Sequence, residues 1–157
     1  MEIGGLPLHP LVVHAAVVLT PLAVLAVLAF AVRPAHRWLT RWPALLLTVA
    51  AFLSVWVARL SGQALLDSRP ELRQLVAGHQ ERGEMLSLAV TVFLVLTALG
   101  AWALGGPSPL VSGRGSVASR GPLAERLLPW LLVLASLGTL LLAVLAGDSG
   151  ARAVWGQ

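Results

Sequence analysis

The amino-acid sequence predicts an all-α fold, an integral membrane bundle of four helices. Of its 157 residues, 57% are hydrophobic and only 11% are charged, whereas soluble domains carry roughly 25% charged residues. Four apolar segments each approach the ~20 residues that a helix needs to cross the ~30 Å hydrocarbon core of a bilayer. A short amphipathic pattern before the third segment predicts a helix leading into it. We therefore expect residues 1–157 to form a single transmembrane domain.

The first two predicted helices cover about residues 8–32 and 43–60. The first contains an uncharged run from Leu11 to Val32, and Pro10 suits a first helical turn, where its missing N–H costs nothing. The second begins near Pro43, and Ala50, Ser54 and Ala58 recur along it at every fourth position. Small residues at that spacing allow helices in lipid to approach one another closely.

The last two predicted helices cover about residues 85–104 and 127–146. Leu72, Leu75, Val76 and His79 form the apolar stripe of the amphipathic segment, which continues directly into the third helix unless a glycine interrupts it. Residues 105–122 are rich in Gly, Pro and Ser and are expected to form a flexible linker. No tandem repeat is evident.

Composition also excludes several classes of function. There is no cysteine, which excludes disulfides and thiolate metal sites. The eleven basic residues are scattered over short loops, so no nucleic-acid partner is expected, and the predicted partner is the lipid bilayer. No catalytic triad, phosphate loop or zinc-protease motif is present, which favours a protein without enzymatic activity.

Arginine counts predict the orientation of the bundle. The loops 33–41 and 105–126 share one side and carry six arginines, whereas the other side carries five. Cytoplasmic loops are the ones enriched in basic residues. Both termini are therefore expected outside, with three of the four histidines at the outer end.

The candidate functional residues are the polar groups of that outer end. Two histidines from different helices can ligate haem iron, and His14 with His79 is the best such pair, with Arg59 near enough in depth to meet a propionate. His14 lies inside the apolar boundary and His79 outside it, which counts against this pairing. A metal site formed by His9, His79 and Asp148 suits zinc or copper, and His14 could serve a proton relay. The alternative for every one of these residues is structural hydrogen bonding.

The segment Gly5-Leu6-Pro7-Leu8-His9-Pro10-Leu11-Val12-Val13-His14 resembles the opening signature of a bacterial family of small membrane proteins catalogued as a domain of unknown function. Gly62, His79 and the Gly147–Gly150 segment match further positions of that family. Ala15 and Ala16 depart from it, since they replace a Phe-Pro pair. Relatives that look associated with cytochrome c modules imply a role in membrane electron transfer, with His9, His14 and His79 as the functional positions.

Two functions therefore remain open. The first is a non-enzymatic protein of the bacterial cytoplasmic (inner) membrane with a histidine-lined site at the outer end, binding haem b or a metal ion in membrane electron transfer. The second is a structural accessory subunit that packs against other membrane protein subunits and has no ligand of its own.

Overall fold

A computed structural model describes residues 2–3, 6–107 and 116–155. Four long helices dominate: α1 (Leu8–Val32), α2 (Arg37–Ser68), α3 (Arg73–Ala103) and α4 (Pro122–Trp155). Short 3₁₀ turns, Pro34–His36 and Pro70–Leu72, connect α1 to α2 and α2 to α3. Two antiparallel pairs of two-residue strands complete the described part: β1 (Glu2–Ile3) with β2 (Leu6–Pro7), and β3 (Gly106–Pro107) with β4 (Ser116–Val117). The predicted all-α bundle is confirmed.

The four helices pack in a closed ring. Helix α1 contacts α2 and α4, and α3 contacts the same two neighbours. The short turns make α2 antiparallel to both α1 and α3. Arg37 at the start of α2 pairs with Glu125 at the start of α4, so α4 runs in the same direction as α2. All four helices are long and apolar enough to cross a membrane.

Helix α1 has the predicted bounds, whereas the other three helices are longer than the predicted apolar segments. Helix α2 extends past residues 43–60 at both ends, because the arginine- and tryptophan-rich residues before Pro43 and the polar residues after Leu60 also form helical turns. Helix α3 runs through Gly78 and Gly83 without a break, so the amphipathic segment is continuous with the third span. Helix α4 begins at Pro122, a residue favoured in the first helical turn. Residues 108–115, the middle of the predicted linker, lie outside the described residues.

The interior of the bundle is not uniformly apolar. Val27, Phe30, Phe93 and Leu132 are fully buried. Buried hydroxyl side chains lie among such residues, namely those of Thr20, Thr48, Ser54, Ser61, Ser87, Thr97, Ser136 and Thr139. Large apolar side chains cover the outside instead, as expected for a surface that faces lipid.

The two ends of the bundle are held by different chemistry. We call the end that carries His9 and His79 the histidine end, and the opposite end, where α1 turns into α2, the arginine end. At the arginine end the buried Arg37 donates from Nη1 to Glu125 Oε2 (2.6 Å) and to the carbonyl of Gly105 (3.0 Å). The Gly105 N–H donates to Glu125 Oε1 (2.7 Å), and Arg41 donates to the carbonyl of Leu104 (2.6 Å). These bonds join the start of α2, the residues that follow α3 and the start of α4.

Candidate functional site

His9 lies in the first turn of α1 and faces α2. Its Nδ1 lies 2.8 Å from the carbonyl oxygen of Ala58. A carbonyl only accepts hydrogen bonds, so this contact places the proton on Nδ1. Ser61 Oγ also donates to this carbonyl (3.0 Å) and lies 3.4 Å from Nδ1. The ring rests on Gly62, where an added methyl group would lie 3.1 Å from Cε1.

His79 occupies a matching environment between α3 and α4. Its Nδ1 lies 3.1 Å from the carbonyl oxygen of Ala146 and 3.3 Å from Ser149 Oγ. Ser149 donates to the same carbonyl (2.9 Å). The ring rests on Gly150, where an added methyl group would lie 3.0 Å from Cε1. Both histidines are thus held by a backbone carbonyl, a serine and a glycine of the adjacent helix.

The two imidazole rings face each other at the histidine end. Their centroids lie 6.2 Å apart with the ring planes inclined by 69°. Both side chains are half-buried. Each Nδ1 carries a proton that is directed to a carbonyl, so in the neutral form of either ring Nε2 carries the lone pair. Histidines that ligate a metal through one ring nitrogen typically donate the N–H of the other ring nitrogen to a carbonyl or carboxylate, which fixes the tautomer and the ring orientation.

The other residues predicted for the site lie in different surroundings. His14 has an exposed side chain on α1. It is five residues, about 140° of helical rotation, from His9. Arg59 donates to Ser87 Oγ (3.1 Å) and lies 3.9 Å from Glu84 Oε1. The ring that faces His79 is that of His9, and the predicted haem site of His14, His79 and Arg59 stays a prediction.

Asp148, the third residue of the predicted metal site, pairs with Arg152 one turn further along α4, with Nε 3.0 Å from Oδ2. Within residues 2–3, 6–107 and 116–155, no group of three or more His, Cys, Asp or Glu side chains is placed to hold a metal ion. The structure therefore brings together two members of the predicted set, His9 and His79. The three-residue site stays a prediction.

Sequence reasoning missed two features of the molecule. It did not assign Ser61 and Ser149, although both lie directly before glycines that the family resemblance had marked. It also did not pair Arg37 with Glu125. Both of these charged residues occupy the first turn of a long apolar helix, which is the signal that could have suggested a contact between them.

Comparison with known proteins decides the family. The sequence matches a family profile described as predicted membrane protein (DUF2231) over residues 5–157. The chain belongs to the DUF2231 family. This membership confirms that it is a membrane protein, and the match covers nearly the whole chain. No curated protein and no solved structure matches it.

In this DUF2231 protein, the His9–His79 pair is the strongest candidate for a functional site. It combines two half-buried imidazoles with fixed tautomers, and both lie within the part of the chain that the family profile covers.

Proposed function

We propose that this protein binds one transition metal ion between His9 and His79 and serves a redox process in the membrane. The observation that carries the proposal is the facing of two imidazoles 6.2 Å apart, each with Nδ1 bonded to a carbonyl. With metal–nitrogen bonds of about 2.0 Å, an ion between two imidazoles separates the ring centroids by roughly 5–6.5 Å. The observed separation lies within that range.

The donor set limits which ions can bind. Neutral imidazole suits copper, zinc, iron and nickel, whereas calcium and magnesium prefer oxygen ligands. Two imidazoles leave further coordination positions for water or an exogenous ligand. Copper fits both the donor set and a redox role, and the same imidazole chemistry would serve haem iron.

The test is metal binding by the detergent-purified full chain, isolated with an affinity tag free of histidine. Bound metal is measured by elemental analysis after dialysis against copper or zinc chloride, in the wild type and in His9→Ala and His79→Ala variants. The matched control is His36→Ala, because His36 is exposed in the turn at the arginine end. We expect about one ion per wild-type chain and an affinity at least tenfold lower in either site variant. The His36→Ala variant should bind as the wild type does.

Two other results would change the proposal in defined ways. A Soret band in the purified protein, sharpening on addition of dithionite, would identify haem iron as the bound metal. Equal metal content in the wild type and in a His9→Ala/His79→Ala double variant would overturn the proposal. Stoichiometric co-purification of another membrane protein with metal-free chain would then support the accessory-subunit function.

The proposal includes a location in the bacterial cytoplasmic membrane, with both termini and the histidine end outside. What supports it is the excess of arginines, six against five, on the side of the 33–41 and 105–126 loops. A reporter enzyme fused after residue 157 tests this orientation. Activity of a reporter that folds only outside the cytoplasm is expected, and activity only of a cytoplasmic reporter would reverse the orientation.

A further inference from the structure

Three contacts along the bundle join residues that are separated in the sequence by one of two fixed numbers of positions. His9 of α1 faces His79 of α3, and Phe30 of α1 contacts Gly100 of α3, where an added methyl group would lie 3.3 Å from Cε1 of Phe30. Both pairs are separated by 70 positions in the sequence. Arg37 of α2 bonds Glu125 of α4, a separation of 88 positions. The first contact lies at the histidine end, the second is buried about one helical turn from the arginine end, and the third lies at the arginine end.

The same separations relate the surroundings of the two histidines. The groups that hold His9 are the Ala58 carbonyl, Ser61 and Gly62. Adding 88 to each number gives Ala146, Ser149 and Gly150, the groups that hold His79. Helix α2 is therefore equivalent to α4 with a shift of 88, and α1 to α3 with a shift of 70.

Burial follows the same equivalence along the helices. Most buried residues correspond to buried or half-buried residues, and both members are buried in Thr20/Val90, Ala23/Phe93, Val27/Thr97, Ala44/Leu132, Thr48/Ser136 and Ala51/Thr139. The buried Ser87, which corresponds to the exposed Val17, is an exception. Exposed residues correspond to exposed residues, as in Val18/Leu88, Leu22/Val92, Leu46/Leu134 and Trp42/Trp130. If either separation were changed by one helical turn, the buried faces of the paired helices would still align. Only the separations of 70 and 88 also align the histidines, the serines and the glycines.

We propose that the chain consists of two equivalent helical hairpins, α1–α2 and α3–α4, packed about a two-fold axis, and that the Phe30–Gly100 and Arg37–Glu125 contacts make each hairpin accept the other rather than a copy of itself. In a two-fold arrangement, only residues close to the axis contact their own equivalents. The three contacts above are of this kind, so the axis runs along the bundle from the histidine pair to the arginine end.

The interaction surface of each hairpin is complementary to the other hairpin and not to itself. A hairpin α1–α2 packed on its own copy would place Arg37 against Arg37 and Phe30 against Phe30. A hairpin α3–α4 packed on its own copy would place Glu125 against Glu125 and leave space at Gly100. Opposite charge and opposite size at equivalent positions remove both conflicts, because a like-charge pair or an overfilled contact at an interface disfavours the wrong partner.

An exchange of the two residues at the axis tests this proposal in the full chain. Gly100→Phe alone overfills a space in which even an added methyl group would lie 3.0 Å from Cδ1 of Leu132 and 3.3 Å from Cε1 of Phe30, and Phe30→Gly alone leaves a cavity. Each should therefore lower the thermal midpoint Tm by roughly 6–20 °C. The double variant Phe30→Gly/Gly100→Phe places the ring in the same space from the other side. It also keeps the number of helical glycines constant. We expect it to recover part of the summed loss and not all of it, because Cδ1 of Leu132 still lies close to residue 100.

The charge pair gives an independent exchange. Arg37→Glu and Glu125→Arg should each lower Tm, and the double variant Arg37→Glu/Glu125→Arg should recover part of that loss. The matched control is the exchange Phe52→Leu/Leu140→Phe, because these positions are also 88 apart but half-buried and away from the axis. The effects of Phe52→Leu and Leu140→Phe on Tm should be additive in this control. Additive effects in the Phe30/Gly100 exchange, measured by thermal unfolding in detergent, would overturn the proposal.

Discussion

Replacing Gly150 with alanine tests how tightly the His79 ring is held. The added methyl group would lie 3.0 Å from Cε1 and 3.2 Å from Nδ1 of that ring, so the ring must move by a few tenths of an ångström. Its movement is resisted because Nδ1 is bonded to the carbonyl of Ala146 at 3.1 Å. Gly138 and Gly147 are controls on the same helix, because an added methyl group at either would meet nothing within 4 Å.

The magnitudes decide the sign of the effect. Replacing a glycine inside a helix with alanine stabilises by about 1 kcal/mol. At residue 150, overpacking costs about 1–3 kcal/mol, and weakening the hydrogen bond costs about 0.5–1.5 kcal/mol. The net effect of Gly150→Ala is therefore a destabilisation of roughly 0.5–3.5 kcal/mol, whereas Gly138→Ala and Gly147→Ala stabilise by about 1 kcal/mol.

Thermal unfolding of the purified protein measures both signs. For a chain of this length, 1 kcal/mol corresponds to about 2–4 °C in Tm. The controls should raise Tm by about that amount, and Gly150→Ala should lower it. Without the His79 ring, the alanine at residue 150 should stabilise the helix as it does at the control positions. The double variant His79→Ala/Gly150→Ala should therefore have a higher Tm than His79→Ala alone. If Gly150→Ala raised Tm as Gly138→Ala does, the ring could not lie against this glycine.

Two further pairs of variants test the charges and the interior. Glu125→Gln leaves the charge of the buried Arg37 without its partner and should destabilise the protein by about 2–4 kcal/mol. Asp148→Asn, at an exposed ion pair, should change stability by less than about 0.5 kcal/mol. Urea or thermal unfolding measures both variants, and equal effects would contradict the expected difference. Thr97→Val should be neutral or stabilising by up to about 1 kcal/mol, because its buried hydroxyl has no hydrogen-bond partner among the described residues. Thr48→Val should instead destabilise by about 1 kcal/mol, because that hydroxyl donates to the carbonyl of Ala44 (2.7 Å); a larger loss at residue 97 than at residue 48 would mean that the Thr97 hydroxyl is bonded.

The fold class could be predicted from the sequence because length and apolarity alone decide whether a helix crosses a bilayer. The extents of α2, α3 and α4 could not, since polar turns such as those from Ser61 to Ser68 continue a helix beyond its apolar segment. The proline at 43 suggested a helix start, yet α2 begins six residues earlier at Arg37. Hydropathy marks the part of a helix that lies in lipid and not the part that extends beyond it.

The site was predicted in part. His9 and His79 were predicted together as ligands of one metal site, whereas the predicted haem site paired His79 with His14, which lies deeper in the apolar segment. Which histidine faces which depends on how α1 and α3 are rotated about their axes, and apolar residues on all sides of α1 carry little information about that rotation. The equivalence of the hairpins was also hidden, because contacts at the axis require unlike residues, such as Phe30 with Gly100.

The continuation of α2 beyond the histidines bears on the rate at which an ion bound between them, as proposed, would exchange. The His9 ring rests on Gly62, and α2 ends six residues later at Ser68, about 9 Å further along the helix axis at 1.5 Å per residue. Helix α3 begins at Arg73 after the turn Pro70–Leu72, so the ends of α2 and α3 extend beyond the histidine pair. An ion that binds between the histidines, as proposed, would pass these helix ends, and shortening them would change its rate of exchange with the surrounding water without changing its ligands.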